Sequence, residues 1–261
     1  MTDSRKIIKY LSLGLAILLG VLAVAGIFTV IGRSVSVVGD TWRYEPENYS
    51  EIIGLEMEID AGEIKIQRGD RFIVVSNMKY IDVSDGKNVV IKERDHLAAN
   101  YNDAFMTIYI PEDMSLTELD ITVGAGTFNA DTLSAERLDL EFGAGEVNIG
   151  ALYATHEADI ESGAGKVTVG GGRLCDLQLD MGVGELNLTS EIVGEGELNL
   201  GVGEVSITLL GKRDDYTLEM NKGVGDIRFD GESLSNGKTV GNGQNFVEIN
   251  GGVGSISVEF K

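Results

Sequence analysis

From residue 119 onward the chain alternates apolar and polar side chains, meets a Gly-Ala-Gly or Gly-Val-Gly, and then alternates again. "LDITVGAGTFNA", "LDLEFGAGEVNI" and "LQLDMGVGELNL" are three versions of one sentence. A period of two on both sides of the glycines predicts strands, since successive strand residues point to opposite faces. The first glycines of the motif are Gly124, Gly143, Gly163, Gly182, Gly201, Gly223 and Gly252, at steps of 19, 20, 19, 19, 22 and 29 residues. Self-similarity near twenty residues is the signature of stacked coils.

The phase of the alternation changes at each motif. Counting the first glycine as zero, the apolar side chains stand at −5 and −3, as at Leu138 and Leu140, and afterwards at +4 and +6, as at Val147 and Ile149. A one-residue slip turns every side chain to the other face, so the backbone must bend there to keep both runs on one core. Glycine suits such a corner because it adopts positive φ at little cost. The expected structural corners are therefore Gly124 with Gly126, Gly143 with Gly145, Gly163 with Gly165, Gly182 with Gly184, Gly201 with Gly203, Gly223 with Gly225 and Gly252 with Gly254. The Ala or Val between them is expected to point inward. One coil offers about four apolar side chains, too few to offset the ordering of its backbone, so coils must cover one another. The pattern predicts an all-β parallel β-solenoid of 19–20-residue coils. An antiparallel meander is the competing architecture, but its two-residue turns favour Asn-Gly or Asp-Gly, which the motif lacks.

Upstream, "LEMEIDAGEIKI" (55–66) keeps the phase change around Ala61-Gly62 and reads as a degenerate early coil. Residues 71–111 contain strand-like runs without the motif, with a hairpin turn expected at Asp85-Gly86. The organisation expected is a tail at 1–9, a membrane helix at 10–32, a linker at 33–50, a β region at 51–118 that caps or begins the stack, and repeats at 119–261. "NGKTVGNGQN" (236–245) reads as a surface loop before the last coil, which is expected to lie on the one before it.

Residues 10–32 carry no charge, and Arg5, Lys6 and Lys9 precede them. A helix of that length crosses a hydrocarbon core of about 30 Å. The positive-inside rule leaves the N-terminus in the cytoplasm and the rest extracytoplasmic, with the lipid bilayer as a partner of 10–32. A cleaved signal peptide ending near "AVA" (23–25) is the alternative. Ser12, Ala16 and Gly20 form a small-residue stripe of the kind that packs membrane helices, common enough by chance to assign no oligomer.

Charge changes the picture of the outward face. The formal net charge is −21, which excludes a nucleic-acid partner. Position −4 holds Asp120, Asp139, Asp159, Gln178, Glu197, Glu219 and Glu248. In stacked coils these carboxylates would stand about 4.8 Å apart and repel by roughly 1 kcal/mol per neighbouring pair. Screening, raised pKa values or a hard cation such as Ca²⁺ would relieve that, so the acid ladder is a candidate cation-binding face, against a plain solvated one.

Catalytic chemistry leaves little trace. His96 and His156 are far apart and lack a metal-ligand spacing. The glycine motifs run into strands and lack the third glycine of a dinucleotide fingerprint. Pairs such as Asp139/Glu141 and Asp159/Glu161 suit a charged face better than a glycosidase dyad, and Arg137, Lys166 and Arg173 fall at unlike repeat positions. The single Cys175 excludes an intrachain disulfide. No catalytic residue and no cofactor is assigned.

"TIYIPEDMSLTELDI" leading into the Gly-[Ala/Val]-Gly series, on a chain with an N-terminal apolar segment, resembles the bacterial putative-adhesin family of β-strand repeat proteins, a domain of unknown function, over residues 51–261. The resemblance implies a membrane-anchored β-solenoid on the outer side of the membrane, with no catalytic residues to carry over. Two functions are expected: a surface scaffold that binds an envelope protein or wall polymer, or an accessory protein of an envelope-stress sensor acting through the 10–32 helix. A polysaccharide-active β-helix enzyme stands third.

Overall fold

The computed structural model describes residues 35–94 and 99–261. In chain order the strands are β1 (Val35–Ser36), β2 (Val38–Tyr44), β3 (Gly54–Gly69), β4 (Ile73–Met78), β5 (Ile81–Ser84), β6 (Asn88–Glu93), β7 (Ala99–Asn100), β8 (Phe105–Pro111), β9 (Leu116–Val169), β10 (Gly172–Leu209), β11 (Tyr216–Phe229), β12 (Glu232–Ser233), β13 (Lys238–Gly241) and β14 (Asn245–Phe260). Between them lie two 3₁₀ turns, and the described residues contain no α-helix. The expected helix at 10–32 lies outside the described residues. Within them no helix is long and apolar enough to cross a membrane.

β9 and β10 are long because each bends through several corners without leaving the sheet. Successive rungs lie parallel and in register: Leu177 pairs with Ala158, Leu179 with Ile160, Val183 with Ala164 and Leu186 with Val167. The degenerate coil joins the stack as read, with Leu55 on Leu119, Ala61 on Ala125 and Ile64 on Phe128.

The order of rungs departs from the order of the chain at both ends. β14 pairs in parallel with β10 on one side, Leu198 to Ile249, and with β11 on the other, Met220 to Ile249. The Gly252 rung is therefore inserted between the Gly201 and Gly223 rungs, correcting the expectation that consecutive rungs stack throughout. The wider steps of 22 and 29 residues are the chain needed to skip a level and return. Buried Tyr216 pins the skip, its hydroxyl donating to the Leu210 carbonyl at 2.8 Å and accepting from the Ile192 amide at 3.1 Å. At the return, the buried Asn245 side chain accepts from the Gly194 amide at 3.2 Å. At the other end β3 lies between β9 and a rung split into two pieces, β6 beside residues 54–58 and β8 beside 63–69.

Antiparallel strands cover both ends. β4 pairs with β8 and β2, β5 pairs with β6, and β12 and β13 pair with β11. Such cover hides the open hydrogen-bonding edge that would otherwise template aggregation. Two segments read as irregular are thus strands. β2 lies in the expected linker and gains its hydrogen bonds from β4, while β13 lies in the expected surface loop and gains its own from β11.

The core is one column of apolar side chains down the stack. Leu119, Ile121, Phe128 and Ala130 are buried in the first repeat, and the equivalent side chains follow in the next. Position −1 also points inward, at Val123, Phe142, Ser162, Met181 and Leu200. Phe142 packs against Phe128 with ring centroids 5.1 Å apart, and the small Ser162 follows on the next rung.

Candidate functional site: rung columns and the glycine corner

The corner is built from two glycines with different duties. The second of each pair has φ between +118° and +149°, from Gly126 to Gly254, a conformation L side chains rarely adopt. The first does not, yet a Cβ on Gly124 would stand 2.5 Å from the Asp60 carbonyl oxygen of the rung beneath. A Cβ on Gly143 would collide with the Gly124 carbonyl in the same way, and one on Gly145 with the Gly126 carbonyl. Each corner thus seats the backbone of the next rung on its own carbonyls. The residue between the glycines is not inward as expected: Val202 is 40% exposed and Val224 65%. Beside Val202 the buried Leu200 at −1 already fills the core, and beside Val224 position −1 is Lys222, bonded to the Gly225 carbonyl; in both rungs the middle residue turns toward solvent.

The acid ladder forms two columns, at −4 and −2. Glu56 pairs with Asp120, Asp159 with Gln178, and Glu248 with both Glu197 and Glu219, so the inserted rung puts Glu248 before Glu219. At −2, Glu161 pairs with Asp180, and Asn250 with Asn199 and Asn221. The two halves handle charge differently. In the C-terminal half Asn199 donates to Glu197 at 3.0 Å and Asn221 to Glu219 at 3.3 Å. The same amides form a ladder across rungs, Asn250 to Asn199 at 3.2 Å and Asn221 to Asn250 at 3.1 Å. At the N-terminal end Lys92 bridges Glu56 at 2.6 Å and Glu58 at 3.6 Å. Between these, no described Lys or Arg bridges Asp120, Asp139, Asp159 or Glu161.

Asp120, Asp159 and Glu161 of that middle block titrate high. Burial, and then the charges of Asp139 and Glu56, lift Asp120. Burial followed by Asp139 and Asp180 lifts Asp159, and burial followed by Glu141 and Asp159 lifts Glu161. Asp159 also holds one buried carboxylate oxygen without a hydrogen-bond partner. Among the described residues no three His, Cys, Asp or Glu side chains converge on a point that could hold a metal ion. The columns spread a negative field along the stack.

The remaining candidates are scattered. His156 is exposed, its Nδ1 3.3 Å from the Thr155 hydroxyl, while His96 lies outside the described residues. Lys166 pairs with Glu185 at 3.0 Å and Arg173 with Glu191 at 3.5 Å, so the basic residues serve separate ion pairs. Cys175 is free and half-buried. Lys92 and the asparagine ladder are the functional features that sequence reasoning missed. The asparagine at −2 in three rungs was a legible signal, whereas Lys92 sits outside the repeat.

Bent strands stacked in parallel, closed by antiparallel covers, define an all-β protein of the β-solenoid type. The Toastrack DUF4097 profile matches residues 46–259. The chain belongs to that family. No curated protein matches it. Among solved structures, a "putative adhesin" of Bacteroides fragilis is 12% identical, with TM-score 0.43, over 86% of this chain and 100% of that one. A "putative cell adhesion protein" of Clostridium sporogenes is 15% identical, with TM-score 0.39, over 85% and 99%. A "putative lipid binding protein" of Parabacteroides distasonis is 13% identical, with TM-score 0.36, over 87% and 99%. None of these descriptions names an enzyme.

Proposed function

We propose that this protein is a non-enzymatic scaffold, held at the outer face of a cell membrane through residues 10–32, whose rungs present an adhesin-like surface to an envelope protein or wall polymer. The observation that carries this reading is the register. Equivalent outward positions lie in register on neighbouring rungs, so a recognition chemistry repeats over runs of the stack, as in the side-by-side Glu197, Glu248 and Glu219. A repeated surface suits a long or polymeric partner, because weak contacts add up along it. The test is capture of partners from native membranes by the full chain, beside a version whose 10–32 segment is scrambled at constant hydrophobicity. Capture that survives scrambling supports the scaffold; capture lost with the native helix sequence points instead to a membrane sensor as the partner, and the scaffold reading falls.

A further inference from the structure

The Gly-Val-Gly corner of the last rungs holds a shallow apolar hollow, open to solvent, with a cavity volume of about 20 Å³. Met181, Leu200, Val205 and Ile256 line it, with the exposed Val202 and Val224 beside them. Gly251 leaves this rung without a side chain at −1, and the Ile256 Cδ1 fills the space a Cβ would take. In spatial order the corner residue is alanine on the first four rungs, from Ala61 to Ala164, and valine on the last four, Val183, Val202, Val253 and Val224. The apolar ridge is thus confined to one half of the stack.

Acids flank the ridge. Glu185, Glu204 and Asp226 stand two residues beyond the valines; on the other side come Asn199, Asn250 and Asn221, with the Glu197, Glu248 and Glu219 column two residues further out. Lys222 is the basic residue at the hollow, and its ammonium is engaged with the Gly225 carbonyl at 2.8 Å. A second copy of the chain, itself at −21, is repelled from such a surface. A segment with apolar side chains down its centre and lysine or arginine on both flanks is complementary to it.

Spacing selects the conformation of that segment. Rungs repeat at ~4.8 Å, so the four valines fall near 0, 4.8, 9.6 and 14.4 Å along the stack. An apolar a/d seam on a helix, at ~1.5 Å per residue, falls near 0, 4.5, 10.5 and 15 Å, within about 1 Å at every rung. A strand laid the same way places same-face residues ~6.7 Å apart and loses register by the second.

We propose that the valine corner docks a basic amphipathic helix of another polypeptide, its apolar seam laid along the ridge of valines. This rests on the reading of the protein as a binding scaffold and names one partner chemistry for it. The test uses the full chain and two labelled 21-residue peptides of identical leucine and lysine content. One has leucine at a and d with lysine at e and g; the other has the leucines shuffled so that no seam forms. At physiological salt the seam peptide is expected to bind at least tenfold more tightly. Val202→Asp and Val224→Asp are each expected to weaken it at least tenfold with the melting temperature unchanged, and the near-isosteric Val224→Thr by a smaller factor. Equal binding of the two peptides, or indifference to the valine changes in folded variants, overturns the proposal by leaving only bulk charge attraction. Binding of the same chain to isolated envelope material is measured in parallel. Envelope binding without seam-peptide preference removes the helix dock alone, whereas loss of envelope binding removes the scaffold reading itself.

Discussion

A glycine that looks like a flexible joint is here a packing requirement. Gly145 combines φ of +143° with a carbonyl of the rung below in the space of its missing Cβ. Gly145→Ala therefore meets both backbone strain, roughly 1–3 kcal/mol, and a clash with backbone that has nowhere to move. The expected loss is about 3 kcal/mol or more by urea unfolding. Gly86→Ala is the control. Gly86 turns the β5–β6 hairpin outside the left-handed region, and a Cβ there meets nothing within 4 Å. Its unfolding midpoint is expected to stay within about 0.5 kcal/mol of the parent. Equal costs at the two positions would refute the packing account. Tyr216 gives a second prediction at this scale. Tyr216→Phe removes the partner of the buried Ile192 amide and is expected to cost roughly 1–3 kcal/mol, with little change in overall strand content by circular dichroism.

At the scale of elements, the inserted rung makes β11 and β14 one cooperative unit. β11 reaches β10 only through β14. A chain stopped after Asn236 lacks β13 and β14, so β11 loses both its parallel neighbour and part of its antiparallel cover. Amide protection is expected to vanish from residues 216–229 as well, while residues 116–190 keep theirs. Retained protection in β11 would mean that it can move down onto β10, as simple chain order would have it. The insertion itself was not legible. Residue types at −3 are Leu198, Ile249 and Met220 in space and Leu198, Met220 and Ile249 in sequence, and either order satisfies the same apolar column. Only the wider steps of 22 and 29 residues hinted at it.

For the whole molecule, charge sets the pH response. Asp120, Asp159 and Glu161 are held above their ordinary carboxylate values in the folded stack, so the native state binds protons more tightly than the unfolded chain there. Their charged forms weaken the fold at neutral pH, and stability is recovered as pH falls from 7 through their raised values, before general acid unfolding sets in. Glu45 and Glu185 work in the opposite sense: Arg43 with Arg71 holds the first low, and Asn187 with Lys166 the second, but both are exposed and their bridges are screened. The melting temperature is expected to rise between pH 7 and about pH 5, and added salt to raise it more at pH 7 than at pH 5. A melting temperature that falls steadily over that range would contradict the carboxylate columns.

The sequence by itself determined the rung: its length, its two strand runs, its corner and the acidic face, because alternation and glycine spacing express local geometry that every coil must satisfy. It also marked the degenerate coil at 55–66 through the same phase change. Tertiary structure alone decided which rung lies on which, that β2 and β13 are cover strands rather than connections, and that the corner residues Val202 and Val224 face solvent. Those outcomes depend on contacts between segments far apart in the chain. Near-identical rungs are interchangeable in pattern, and only the long-range hydrogen bonds of Tyr216, Asn245 and the end strands tell them apart.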